Sequence, residues 1–256
     1  MNISMDNKRG QIGIFIIIAL VVVVGIVLAV ILIPKFKPSA TNVNSDNPQA
    51  FIESCLKEDI KSNLERIGLG GGFSTPEGNV MYKGQDYKYL CYTNQNYIPC
   101  VVQEPLIKDR IEGEMTIALK ERVQDCVKQF AEESERRGNK ISVGKISENV
   151  ELNTGKIIVN VIAPMTITNE VSRNFNNFKI EYPSNMYDLS FVATSIVSFE
   201  ATYGNSEITT YLQYYPNLII EKTKLSDGST IYIVSDVTSN EKFAFASRSL
   251  AWPPGS

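Results

Sequence analysis

The chain of 256 residues contains no histidine. Histidine is the side chain that changes charge near neutral pH and the commonest metal ligand, so imidazole-based triads and histidine-ligated zinc sites are excluded. A large excess of one charge is also missing: 25 Lys and Arg stand against 28 Asp and Glu, a net charge of −3. Proteins that hold phosphates by counterion release usually display a basic patch or stripe, so nucleic acid is not an expected partner. The four cysteines form no CxxC pair of the kind that closes thiolate zinc sites. No metal or cofactor is expected. Sequons are nearly absent as well, since Asn2-Ile3-Ser4 is the only one and precedes every other feature of the chain.

What the sequence does have is a run of 22 residues, Ile12 to Ile33, without a charged or strongly polar side chain. As a helix rising 1.5 Å per residue it would span about 33 Å, matching a hydrocarbon thickness of roughly 30 Å. The run predicts one transmembrane helix over 12–33, with a lipid bilayer as its partner. It is too long, and lacks the small-x-small end, for a removable secretory signal. Lys8 and Arg9 before it and Lys35 and Lys37 after it nearly balance, so charge alone does not orient it. The cysteines supply the direction. Cys55, Cys91, Cys100 and Cys126 all follow the apolar run, and an even count in an exported domain reads as a disulfide framework, with a four-thiolate metal site or free core thiols as rivals. Disulfides persist in oxidising compartments, which places the remainder of the chain outside a cell membrane that it crosses once.

Lys8-Arg9-Gly10-Gln11, followed at once by the apolar run, resembles the class III signal of archaeal type IV pilins and archaellins. That resemblance implies cleavage between Gly10 and Gln11 on the cytoplasmic side, with the helix retained. It covers about 25 residues, and Phe15 stands where many bacterial pilins carry glutamate. The layout as a whole resembles membrane-anchored archaeal surface proteins.

The expected organisation is a cytoplasmic leader over 1–11, the membrane helix over 12–33 and a tether over 34–48. A helical, disulfide-bearing part over 49–138 and a sheet-rich part over 139–256 then make up one extracytoplasmic domain. The tether holds three prolines among Ser, Thr, Asn and Asp. Asn47 as cap and Pro48 in the first helical position start a helix carrying Phe51, Ile52, Cys55, Leu56, Ile60, Leu64 and Ile67 on one face, with Gly68 as its stop. A longer helix runs from near Pro105 to about Arg137, with Ile111, Met115, Leu119, Val123, Cys126, Val127 and Phe130 as its stripe and Gly113 as an interruption. Cys55 and Cys126 sit on the apolar faces of these helices, so face-to-face packing predicts their pairing and leaves Cys91 with Cys100 across a local turn.

Strands are expected at 141–146, 150–152, 156–163, 178–182, 217–224, 230–236 and 243–247, with turns at Asn153-Thr154-Gly155 and Ser226-Asp227-Gly228. A further helix from near Asn185 presents Leu189, Val192, Ala193, Ile196, Phe199 and Tyr203 on one side. The fold class is α+β: two disulfide-linked helices, then an antiparallel or mixed sheet with one covering helix.

Few residues suggest chemistry. Gly68 to Gly72 lacks the Lys-Ser/Thr of a phosphate loop and reads as a helix stop. Tyr87, Tyr89, Tyr92 and Tyr97 crowd the second cysteine pair as a candidate recognition surface, because tyrosine offers large contact area at low entropic cost. Tyr203, Tyr211, Tyr214 and Tyr215 form a second group. Paired carboxylates could hydrolyse sugars, but no pair is marked. The expected function is therefore non-catalytic: a structural or adhesive pilin-like surface protein that associates with itself or with other surface proteins. The alternatives are a monomeric tethered binding module or accessory subunit, and an extracytoplasmic hydrolase.

Overall fold

The computed structural model describes residues 19–23 and 47–252. Residues 19–23 are helical, with Leu20 to Val23 exposed. The rest of the expected membrane helix, the leader with Gly10 and Gln11, and the tether up to residue 46 lie outside the described residues. Among the described residues no helix is long and apolar enough to cross a membrane. The chain divides into two compact units, 1–42 and 43–256, and the architecture below is that of the second.

In chain order this unit runs α1 (Pro48–Leu69), β1 (Asn79–Tyr82), β2 (Gln85–Tyr92), β3 (Val101–Val102) and α2 (Ile107–Arg136). It continues through β4 (Lys140–Val143), β5 (Ser147–Asn153), β6 (Lys156–Thr168), β7 (Ser172–Pro183), α3 (Met186–Tyr203) and α4 (Thr209–Tyr214). It closes with β8 (Leu218–Lys224), β9 (Ser229–Asp236) and β10 (Lys242–Arg248). The α+β class is as expected, but there are two sheets where the strand pattern suggested one.

Helix α1 begins as its sequence dictates: the Asn47 side chain accepts hydrogen bonds from the backbone N–H groups of Gln49 and Ala50, and Pro48 occupies the first turn. Its end differs from the expectation. The helix passes through Gly68 to Leu69, and Gly68 is required by packing, because a side chain there would run into the Lys242 carbonyl and the Met186 methyl. Helix α2 also departs from its expected break, running 30 residues straight through Gly113. Gly113 faces open space, so nothing forces the helix apart there, and the buried row from Ile107 to Phe130 holds it. The two helices meet along that row. Cys55 is bonded to Cys126 with Cα atoms 5.9 Å apart, the Phe51 and Phe130 rings lie 5.4 Å apart, and Arg122 pairs with Asp59 at 2.8 Å.

The first sheet has the order β1-β2-β10-β9-β8, with β3 also paired to β2. All its pairings are antiparallel except β2 with β10, which is parallel. In the second sheet β6 is central: β7 runs along one edge, and β5 and then β4 pair with successive stretches of the other. A register shift between Ile162 and Met165 accommodates Pro164, whose carbonyl accepts from Gly144 N–H. The expected strand over 141–146 accordingly divides into β4 and the approach to β5. Residues 79–102, expected to hold a hairpin or loop pinned by the second bridge, supply three strands to the first sheet, β2 and β3 pairing antiparallel across that bridge.

One continuous core joins the helices to the inner faces of both sheets. Helix α1 packs on β10 and β7, α2 on β4 and β5, and α3 on β9, β10 and α2. A smaller apolar cluster of Tyr87, Ile231, Ala244 and Ala246 forms separately from that core.

Candidate binding groove on helix α3

The structure joins Cys91 to Cys100, Cα atoms 5.4 Å apart, alongside the Cys55–Cys126 bridge. Cys91 lies in β2 and Cys100 just ahead of β3, so the bridge closes a corner of the first sheet. The four tyrosines expected beside it do not make one surface. Tyr87 is buried in the smaller cluster, and Tyr89, half-buried, bonds through its hydroxyl to Ser229 Oγ at 2.7 Å. Tyr92 packs its ring 4.8 Å from Tyr89, whereas Tyr97 stands apart against Trp252 at 5.7 Å. Arg248 fastens this corner by donating to the Thr93 and Gln95 carbonyls and to Asn96 Oδ1. Tyr87 and Tyr89 thus serve as packing, whereas Tyr92 and Tyr97 are exposed, 37% and 57%.

The second group lines a groove. Phe191, Ser195 and Phe199 are four residues apart on α3, which puts them in one row on its solvent side. Helix α4 lies beside this row and supplies Tyr211 and Tyr214, with Tyr215 following, around a cavity of about 340 Å³. The Ser195 hydroxyl and the Tyr211 phenol are 2.8 Å apart and tie the two helices together. The rings remain open to water: Phe191 is 57% exposed, Phe199 47% and Tyr214 77%. This corrects the expected stripe, which placed Phe199 and Tyr203 with Leu189 and Ile196. The buried arc instead passes through Leu189, Ala193, Ile196, Val197 and Glu200, and Tyr203 sits in the last turn with its ring 5.6 Å from Phe199.

The rim is set by how α3 stops. Gly204 takes the left-handed conformation, φ 74°, and a side chain there would collide with Leu250. The loop that follows is held to the core, since Ser206 N–H donates to Glu200 Oε1 at 3.0 Å, and Lys222 Nζ donates to Asn205 Oδ1 and to the Ser206 carbonyl. Glu207 comes next and stands at the groove. Its Oε1 accepts from the Thr209 hydroxyl at 2.6 Å and from the Thr209 N–H at 3.0 Å, and these bonds hold its pKa below the ordinary glutamate value. Glu207 is therefore ionised at neutral pH, and among the described residues lining the groove it alone carries charge.

Behind the groove, Glu200 is 2% exposed, with both of its carboxylate oxygens engaged. It accepts from the Tyr232 hydroxyl, from Ser206 N–H and from Ser247 Oγ at 3.0 Å, while Ser249 Oγ donates to its backbone carbonyl. Burial, with the Glu200 carboxylate beside it, pushes the Tyr232 hydroxyl above its ordinary pKa, so the phenol stays a donor. Ser249 in turn accepts from Cys100 N–H at 2.9 Å, linking the network to the second bridge.

No family model, curated protein or solved structure matches this chain. The groove is therefore read from its chemistry alone. Its parts are aromatic walls, one ionised carboxylate at the rim and two hydroxyls bonded to each other. The sequence marked the late tyrosines, but it gave no reason to join them to Phe191 and Glu207. Only the helical row and the αL cap bring those residues together.

Proposed function

We propose that the chain is a membrane-anchored, extracytoplasmic surface protein, non-catalytic and structural or adhesive in role, with a pilin-like N-terminus. The observation that carries this reading is that a run of 22 apolar residues precedes a domain whose four cysteines are all paired. An unbroken apolar stretch of that length suits a bilayer, and paired cysteines suit an oxidising exterior. The resemblance of Lys8 to Gln11 to a class III signal adds cleavage after Gly10.

Cell fractionation and intact-mass measurement test it together. The full chain is expected in the membrane fraction, with its domain digested by protease added to whole cells and its mass reduced by residues 1–10. Gly10→Arg is expected to abolish the trimming. Recovery in the aqueous fraction with all four thiols open to an alkylating dye would overturn the reading.

The open groove on α3 favours a second reading, in which the domain is a tethered binding module. A patch of aromatic rings left exposed beside a defined cavity is a common mark of an interaction site.

A further inference from the structure

The groove also has a charge preference. The faces of aromatic rings are electron-rich, and several rings around one space attract a cation more than a neutral group of the same shape. Here Phe191, Phe199, Tyr211, Tyr214 and Tyr215 surround the cavity, and the carboxylate of Glu207 adds a full negative charge at its mouth. The opposing charge felt by Glu207 is that of Lys222, whose ammonium is engaged by Asn205 and the Ser206 carbonyl and does not line the groove.

We propose that this groove binds alkylammonium groups, the trimethylammonium head being the best fit: a cation sheathed in methyl groups and free of a strong demand for hydrogen bonds. The assignment rests on the binding-module reading and narrows it to a ligand class. Size supports it, because about 340 Å³ lies at the small end of ligand cavities and α4 walls one side, leaving no length for a docked helix. Charge supports it too: a neutral sugar would meet the Thr210, Tyr214 and Tyr215 hydroxyls but gain nothing from the full negative charge of Glu207, which favours a cation. An anion would meet Glu207.

The discriminating probes are choline and 3,3-dimethylbutan-1-ol, which share a shape and differ in charge, with methyl glucoside as the sugar control. Each is titrated by calorimetry and ligand-observed NMR into the full chain held in a polyoxyethylene detergent, which has no ammonium or sugar headgroup. Choline is expected to bind saturably and at least roughly tenfold more tightly than its carbon isostere. Glu207→Gln should weaken choline several-fold and leave the isostere unchanged. Tyr214→Leu should weaken choline as well. Glu207 and Tyr214 are exposed, so unchanged thermal unfolding of both variants checks that the fold is intact. Equal binding of the two isosteres, binding of methyl glucoside alone, or no binding of choline at tens of millimolar would each overturn the proposal. Binding of methyl glucoside alone, or equal binding of the two isosteres, would sink the ligand class and keep the binding module, whereas failure of all three probes would leave the groove without a ligand and sink both.

Discussion

The two sides of α3 treat polarity in opposite ways. Its inward side packs Leu189, Val192, Ala193, Ile196 and Val197 into the core and then adds a carboxylate, Glu200, where an aliphatic residue would complete the row. Its outward side sets Phe191 and Phe199 in water, where a charged or small polar residue would be ordinary. Burying a Phe side chain stabilises a fold by roughly 1.5–3 kcal/mol, and the outward rings forgo about half of that. Glu200 carries the opposite burden, since a buried carboxylate is tolerated only when its acceptor sites are filled. The inward side is thus built for stability despite its charge, and the outward side is left free of the fold's demands. That contrast is what supports the proposed binding role of the groove.

The contrast breaks most visibly at Glu200. Replacing it with Ala removes the acceptor for the Tyr232 hydroxyl, the Ser247 hydroxyl and the Ser206 N–H at once. With about 1–3 kcal/mol for each orphaned buried group and some relaxation, the expected loss is about 4 kcal/mol. Glu200→Gln keeps one acceptor oxygen and should lose about half as much. Urea unfolding of the full chain measures both. A Glu200→Ala loss under about 1 kcal/mol would mean that water reaches the network and that the inward side is not closed.

A smaller effect is expected from the bridge at the far end of the same network. The Cys91–Cys100 bridge closes a sequence separation of 9, against 71 for Cys55–Cys126. In the chain-entropy model removing the short bridge costs about 2.5 kcal/mol and removing the long one about 4 kcal/mol. The double variant Cys91→Ser with Cys100→Ser should therefore still fold, and its hydrogen exchange should rise first around Ser247 and Ser249, beside Glu200. If exchange rises instead around α4 and Glu207, the groove depends on the bridge and the two sides of α3 are not independent.

How much of this was legible before the structure depends on whether the signal was local. Helix α1 was readable from Asn47-Pro48 and its 3.6-residue apolar spacing, and the Cys55–Cys126 pairing followed from two apolar faces that each contain a cysteine. The β8–β9 hairpin was readable from Asp227-Gly228, with Gly228 at φ 86°. The strands β1 and β2 were missed because Val80 is their one β-branched residue and polar residues (Asn79, Gln85, Asp86, Lys88) break up their apolar pattern. The parallel pairing of β2 with β10 joins Tyr89 to Ala246, a partnership with no turn to announce it. Pro164 hid the full length of β6, since proline inside a strand reads as a stop until a bulge accommodates it. Glu200 was invisible for a deeper reason: a charge on the buried side of a helix contradicts the periodicity by which helices are read, and only its three donors make it admissible. The same assumption drew Phe199 and Tyr203 into the expected core.

The smallest effect is expected where the contrast is sharpest. Phe191→Ser and Phe199→Ser exchange residues of similar helix propensity at positions where about half of each ring is already in water, so each should cost only about 1 kcal/mol. Ile196→Ser, three residues before Phe199 on the inward side, buries a hydroxyl in place of a fully enclosed side chain and should cost several-fold more. Thermal unfolding of the three variants side by side reads the difference without knowledge of any ligand. Should Phe199→Ser lower stability as much as Ile196→Ser, the ring would belong to the core, the groove would be closed in solution, and the aromatic walls would have no ligand to receive.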